Sequence, residues 1–245
     1  MRQQPLTISE ILNLIRKGKK FPLATRNYPS RGQTTTQDLY QTPKGKFFLK
    51  KPSKRNHEEC QINIKDGTLS EREYWAYRLA TEIGLHVPTL WLVNRQTTVQ
   101  VWLDYPDART FATSQGKMTM KAENVFNCAL FDWVTGQIDR HDANYLYNYV
   151  DKEIILIDSA FSFLKYSGSI PDYLKYFEIG FPDELKRRLK TTIQSQLSHL
   201  KSSSLVRLIP LKNKLEKEAL QHRLEQIQTV QCIQDIIHLY RGTKK

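Results

Sequence analysis

The chain has 245 residues, 40% of them hydrophobic and 11% aromatic, which is enough to build a real core and excludes global disorder. Its formal charge of +12 at pH 7 is unevenly spread: residues 1–55 hold thirteen Lys and Arg against two acids, residues 56–182 eleven against seventeen, and residues 183–245 thirteen against six. No apolar run nears the ~20 residues of a membrane span, the first 22 residues lack the apolar centre of a secretory signal, and Cys60, Cys128 and Cys232 lack the spacing of a zinc site or disulfide framework, so a reducing cytoplasm is the expected compartment.

In chain order, Thr7 to Lys17 reads as a short helix: Thr7 and Glu10 are spaced as a capping box, with Ile8, Ile11, Leu12 and Ile15 on one face. Arg26 to Thr36 breaks that pattern with Pro, Gly and hydroxyl residues and reads as a turn between strands. Lys46 to Pro52 is strand-like. Its alternation sets Phe47, Leu49 and Lys51 on one face and Lys46, Phe48 and Lys50 on the other. A lysine beside two large apolar residues should reach inward, which favours Lys51 as a phosphate-binding lysine; a slip of one residue would make it Lys50.

Leu69 to Gly84 is the clearest helix, with Ser70 as its cap, Glu71 and Glu73 in the first turn and Gly84 at its end. Strands follow at Leu90 to Val93 and Thr98 to Leu103, then a helix from Thr119 to Val134. Towards the C-terminus, Asp183 to Ile209 and Leu211 to Tyr240 read as two amphipathic helices.

Between these lies the stretch that ordinary folding does not explain, Phe131 to Phe163. It sets Asp139, Asn144 and Asp158 between apolar segments. Tyr145 to Tyr149 and Ile154 to Ile157 read as strands joined by a turn at Val150 to Glu153. Asp158 therefore ends an apolar strand, where a carboxylate is costly unless donors or a cation answer it. Phosphoryl transfer needs such a set: a carboxylate near the attacking hydroxyl, and an amide oxygen with a second carboxylate to hold Mg²⁺ on the nucleotide phosphates. Asp132, in the run Leu130-Phe131-Asp132, reads as structural, and Arg140 and His141 as groups that steady the loop or touch phosphate.

The order Asp139-Arg140-His141-x-x-Asn144, followed by Ile157-Asp158 and Phe163, resembles the phosphatidylinositol 3-/4-kinase-like superfamily, which includes the type II phosphatidylinositol 4-kinases, actin-fragmin kinase and the HipA-like bacterial kinases. Arg72-Glu73-x-x-Ala76-x-x-Leu79, Lys51-Pro52 and Val87-Pro88-Thr89 similarly look like that family's segments. The resemblance spans roughly Arg26 to Phe163. It implies an α+β, two-lobed protein-kinase-like fold, with a small antiparallel-sheet lobe over residues 1–103 and a mostly helical lobe over residues 104–245.

It further implies ATP and Mg²⁺ as cofactors. Asn144 and Asp158 would bind the metal, and Asp139 would act on the acceptor hydroxyl. Lys51 paired with Glu73 would hold the phosphates under a turn tipped by Ser30, Arg31 and Gly32. Backbone groups from Gln100 through Trp102 to Leu103 would meet the adenine edge. The expected acceptor is a protein or peptide hydroxyl, with a phosphoinositide second and nucleotidyl transfer a further use of the fold. Outside that class stand a nucleotide-binding pseudokinase, in which the filled polar positions would be idle, and a basic nucleic-acid-binding module. The basic ends suit an anionic lipid or nucleic acid, but no nucleic-acid reading motif is present.

Overall fold

The computed structural model describes residues 6–21, 36–52, 57–58, 62–115, 117–200 and 202–242. The chain divides into two compact units, one formed by residues 1–74 and 88–104, the other by residues 75–87 and 105–245. The first unit thus ends one residue past the boundary expected at 103, and residues 75–87 group with the second. The fold class is α+β, an antiparallel sheet in one unit and a mainly helical second unit, as expected.

The sheet of the first unit has the order β1-β2-β3-β5-β4, from β1 (Lys19–Phe21), β2 (Thr36–Thr42), β3 (Gly45–Lys51), β4 (Leu90–Asn94) and β5 (Thr97–Val101), with every neighbour antiparallel. The tight β2–β3 turn is closed by Gly45 at φ 117° and by the Thr42 hydroxyl, which donates to the Gly45 carbonyl and accepts from the Lys44 N–H. Helix α1 (Ile8–Lys17) carries the expected capping box, and its Ile11 and Ile15 pack with Phe47, Leu49 and Val99 to form this unit's core. That packing decides which face of β3 is which: the Phe47–Leu49 face is covered by α1.

Helix α2 (Leu69–Glu82) opens on a capping box two residues earlier than the sequence suggests. The Thr68 hydroxyl accepts from the Glu71 N–H at 3.2 Å and the Glu71 carboxylate accepts from the Thr68 N–H at 2.9 Å. Ser70, the expected cap, is instead buried within the first turn. The helix ends as expected at Gly84, whose φ of 73° favours a residue without a Cβ.

In the second unit, α3 (Ala108–Gln115) precedes α4 (Ala122–Thr135), which is buried around almost its whole girth from Val125 to Thr135. Helix α4 packs against the hairpin β6 (Tyr145–Asn148) and β7 (Glu153–Leu156), α5 (Asp172–Gly180), α6 (Thr192–Ser198), α8 (Lys214–Gln226) and α9 (Ile233–Gly242). The two long C-terminal helices expected from periodicity are broken into shorter pieces, with α7 (Ser202–Leu208) between α6 and α8. Local caps explain the breaks. Thr191 accepts from the Gln194 N–H, Asn213 from the N–H groups of Leu215 and Glu216, and Asp235 from those of Gln231 and Cys232, so each side chain starts a new helix where hydrophobic spacing alone would run on.

Candidate functional site

In the first unit, Lys50 and not Lys51 makes the buried contact. Lys50 Nζ lies 2.5 Å from Glu73 Oε1, with side chains only 6% and 4% exposed. The second Glu73 oxygen accepts from the Thr98 hydroxyl of β5 at 3.0 Å. Lys51, favoured on sequence, ends its strand exposed to solvent. The reason is the covering helix: Phe47 and Leu49 face α1, so the apolar company that argued for Lys51 marks the core side of the sheet. Lys46, whose place on the other face argued against Lys50, is half-buried and pairs with Asp104 at 2.6 Å.

The expected adenine contact is also narrowed. Gln100 lies within β5 with β3 on one side and β4 on the other, so its backbone groups belong to the sheet. The Trp102 N–H donates to the Lys46 carbonyl at 2.9 Å. What the hydrogen-bond pattern does not preclude is the Trp102 carbonyl and the backbone of Leu103. Ser30, Arg31 and Gly32 lie outside the described residues.

In the second unit, the β6–β7 hairpin brings the two polar motifs together. Tyr145 faces Leu156, so the next residues outward, Asn144 and Ile157, oppose each other, and the Ile157 N–H donates to the Asn144 carbonyl at 3.2 Å. Asp158 follows immediately, held at φ 52°, a left-handed conformation that a residue with a side chain seldom adopts without being forced. The Asn144 amide nitrogen donates to the Asp139 backbone carbonyl at 2.7 Å and to its carboxylate at 3.2 Å. With the nitrogen engaged, the atom Asn144 can offer a cation is Oδ1.

Asp139 has a half-exposed carboxylate. Burial pushes its pKa upward; His141 opposes the rise, Asp158 adds to it, and Arg140 and the Asn144 hydrogen bond pull back, leaving a net rise. His141 accepts from the Ala143 N–H through Nδ1 and presents Nε2 3.8 Å from Asp139 Oδ1, so its ring is steadied inside the loop.

Beneath the loop is a fully buried ion pair. Asp132, on α4, takes Arg140 at 3.0 Å and the Tyr173 hydroxyl at 2.8 Å. Arg140 also donates to the carbonyls of Asn144 and Ile157 and to the Ser159 hydroxyl, tying both motifs to one guanidinium. Burial disfavours its charge, but Asp132 more than offsets this and the Arg140 pKa is raised. Asp132 is therefore structural, as expected, although it acts through Arg140 and not on the loop backbone. Arg140, fully buried, steadies the loop and has no access to a phosphate.

Gln137 was not foreseen. Its side-chain oxygen accepts from the Asp139 N–H at 3.2 Å and its nitrogen donates to the Asp158 carbonyl at 3.1 Å. Its place two residues before Asp139 was the only available signal. Thr98, which bonds Glu73 in the first unit, and Tyr173, which bonds Asp132 in the second, were also unforeseen, because each comes from a distant segment that spacing could not relate to its partner.

Among the described residues no group of three or more His, Cys, Asp and Glu could hold a metal ion. The expected pair is of another kind, one amide oxygen and one carboxylate, both hard oxygen donors that suit Mg²⁺ when phosphate oxygens and water complete its shell. No helix among the described residues is long and apolar enough to cross a membrane.

A scan against models of known families finds no match, and a search of curated proteins finds none. Among solved structures, the chain is similar to the Helicobacter pylori proinflammatory kinase CtkA at 14% identity, covering 87% of this chain and 94% of that one, with a TM-score of 0.43. It is also similar to the Rio2 kinase from Chaetomium thermophilum in its ADP/Mg²⁺-phosphoaspartate complex, at 14% identity over 80% and 69% of the two chains, with a TM-score of 0.43. At these scores the likeness carries no weight for function, which rests on the residues themselves.

Proposed function

We propose that the protein is a Mg²⁺- and ATP-dependent phosphotransferase of the phosphatidylinositol 3-/4-kinase-like type, passing the γ-phosphoryl group to a hydroxyl on a protein or peptide. The observation that carries this reading is the hairpin register that sets Asn144 beside the Ile157–Asp158 step while Asn144 holds Asp139 by two hydrogen bonds. That register brings the backbones of segments 139–144 and 157–158 side by side, which supports an amide oxygen and two carboxylates serving phosphoryl transfer together.

In this reading Lys50, held by Glu73 and Thr98, binds nucleotide phosphate oxygens. Asn144 Oδ1 and the Asp158 carboxylate would hold Mg²⁺, which when bound would neutralise phosphate charge. Asp139 takes the proton of the acceptor hydroxyl as that oxygen bonds to the γ-phosphorus, and the bond from the γ-phosphorus to the bridging oxygen breaks to release ADP. Its raised pKa suits that task, since a carboxylate of higher pKa is a better proton acceptor than an ordinary surface Asp. Positioning and charge neutralisation supply most of the rate. A cytoplasmic site of action, and attraction of an anionic lipid or nucleic acid to the basic ends of the sequence, belong to the same proposal.

The test is transfer of label from γ-labelled ATP with Mg²⁺ to proteins and extracted lipids, by the wild type and by Asp158→Ala. Loss of transfer in the variant supports the reading, label in the lipid fraction alone replaces the protein acceptor with a lipid, and equal transfer by both forms rejects the metal assignment.

A further inference from the structure

Like Arg140, Gln137 bonds both motifs through a single side chain, and its partners are the backbones of Asp139 and Asp158 themselves. It is 1% exposed, so its amide has no water to satisfy it and must find partners within the protein. The partners fix which atom is which. A backbone N–H, that of Asp139, must meet the oxygen, and a backbone carbonyl, that of Asp158, must meet the nitrogen. The backbone of Gln137 is pinned as well. Its N–H donates to the Asp132 carbonyl at 3.1 Å, and Gly168 packs so closely on its carbonyl that an added Cβ would lie 2.4 Å away.

We propose that Gln137 is a positioning residue for the phosphotransfer site, a clasp that sets Asp139 and Asp158 at a fixed separation through one amide. Two consequences follow from its chemistry. The Asp158 backbone sits in the left-handed region, a costly conformation that persists only when its surroundings hold it, and the bond to its carbonyl is one such restraint. Because the clasp needs a donor and an acceptor 2 to 3 Å apart on a rigid plane, neither an apolar isostere nor a carboxylate replaces it. Met fills the volume and makes neither bond. Glu keeps the acceptor for Asp139 but turns an oxygen without a proton towards the Asp158 carbonyl.

The catalytic half of this inference rests on the phosphotransferase reading; the clasp itself does not, and the two are measured separately. Amide hydrogen exchange is followed across residues 139–144 and 157–160 in wild type, Gln137→Met and Gln137→Glu, with circular dichroism to verify that each variant is folded. In Gln137→Met, exchange should quicken about 10-fold in both segments. In Gln137→Glu, the Asp139 amide should keep its protection while residues 157–160 lose theirs, a pattern that general loosening would not produce. Unchanged exchange in either segment of Gln137→Met, or uniform quickening in Gln137→Glu, overturns the clasp.

With γ-labelled ATP, kcat of Gln137→Met should fall by about 10- to 100-fold while KM for ATP stays within about threefold, because the nucleotide is still bound but the reacting groups are misplaced. A full kcat in a variant whose two segments have loosened overturns the positioning role. A wild type that transfers no phosphate rejects the phosphotransferase reading and the positioning role with it, and leaves the exchange measurement to decide the clasp.

Discussion

Lys50 Nζ lies 2.5 Å from Glu73 Oε1, and both side chains are nearly sealed from solvent. A buried ion pair is costly to create and more costly to break, because removing one partner strands the other's charge. Glu73→Gln should therefore destabilise the first unit by about 3–5 kcal/mol, read from chemical denaturation, since the buried Lys50 would lose the carboxylate it pairs with. In transfer assays Lys50→Met should lose about 100-fold or more in kcat, the scale of removing a cation aimed at developing charge. Lys51→Met should stay within about twofold, as expected of an exposed position. The opposite ranking of the two lysines would show that the buried pair is only structural.

The Asp139 carboxyl is held above the ordinary value of 3.8, chiefly by burial. The sign of the stability effect follows. A raised pKa means that folding favours the protonated form, so the associated stability is complete below the unfolded value of about 3.9 and is lost as pH rises through the folded pKa. At neutral pH the ionised Asp139 is thus a net cost to the metal-free protein. Asp139→Asn should raise Tm at pH 7 in metal-free buffer, and the gain should vanish towards pH 4 as the wild-type carboxyl takes up its proton. The same variant should abolish phosphoryl transfer. A Tm gain that persists unchanged at pH 4 would assign it to something other than this carboxyl.

The pattern of what sequence reveals here has a physical basis. The hairpin around Val150 to Glu153 was legible because two short apolar strands and a polar turn specify their own register, and register alone brings Asn144 against Ile157. Glu73 stood out from Glu71 only through the resemblance carried by Arg72-Glu73-x-x-Ala76-x-x-Leu79, since both acids lie in the first turn of the same helix. The choice between Lys50 and Lys51 was not legible, because a one-residue alternation shows that two faces differ without showing which is covered; α1, whose Ile11 and Ile15 are distant in sequence, decides it. The broken C-terminal helices were missed because single caps such as Asn213 and Asp235 outweigh hydrophobic spacing. Gln137 was missed because it serves both motifs by side-chain bonds, which leave no periodic trace.

Asp132 and Arg140 share two features: full burial and bonds that radiate to the working segments. Arg140 reaches the Asn144 and Ile157 carbonyls and Ser159, while Asp132 also holds the Tyr173 hydroxyl of α5. Asp132→Asn should cost about 3–5 kcal/mol, since the guanidinium keeps its charge in the interior without a compensating anion. Tyr173→Phe, which removes only one neutral donor to that carboxylate, should cost about 1–3 kcal/mol. Denaturant midpoints for both variants check the order, and equal losses would mean that the charge pair carries no special weight.

Gly136 ends α4 at φ 60°, and the Arg223 guanidinium of α8 occupies the space where a Cβ would stand, at 2.5 Å. Arg223 cannot simply swing aside: it donates to the Val134 carbonyl at 3.1 Å and twice to the Leu164 carbonyl, so it closes the C-terminus of α4 and braces the chain just after Phe163. Burial pulls its pKa down to about 10, which still leaves it charged at neutral pH. Gly136→Ala combines left-handed strain of about 1–2 kcal/mol with disruption of those charge-assisted bonds, about 1.5–3 kcal/mol more. For a chain of this length each 1 kcal/mol lowers Tm by about 2–4 °C, so the variant should melt at least about 5 °C early. Arg223→Lys opens space for the new methyl but loses the fork that reaches two carbonyls at once. Combining the two substitutions should therefore destabilise by less than the sum of the single effects, and strict additivity of the melting losses would show that the glycine is required by its backbone angle alone.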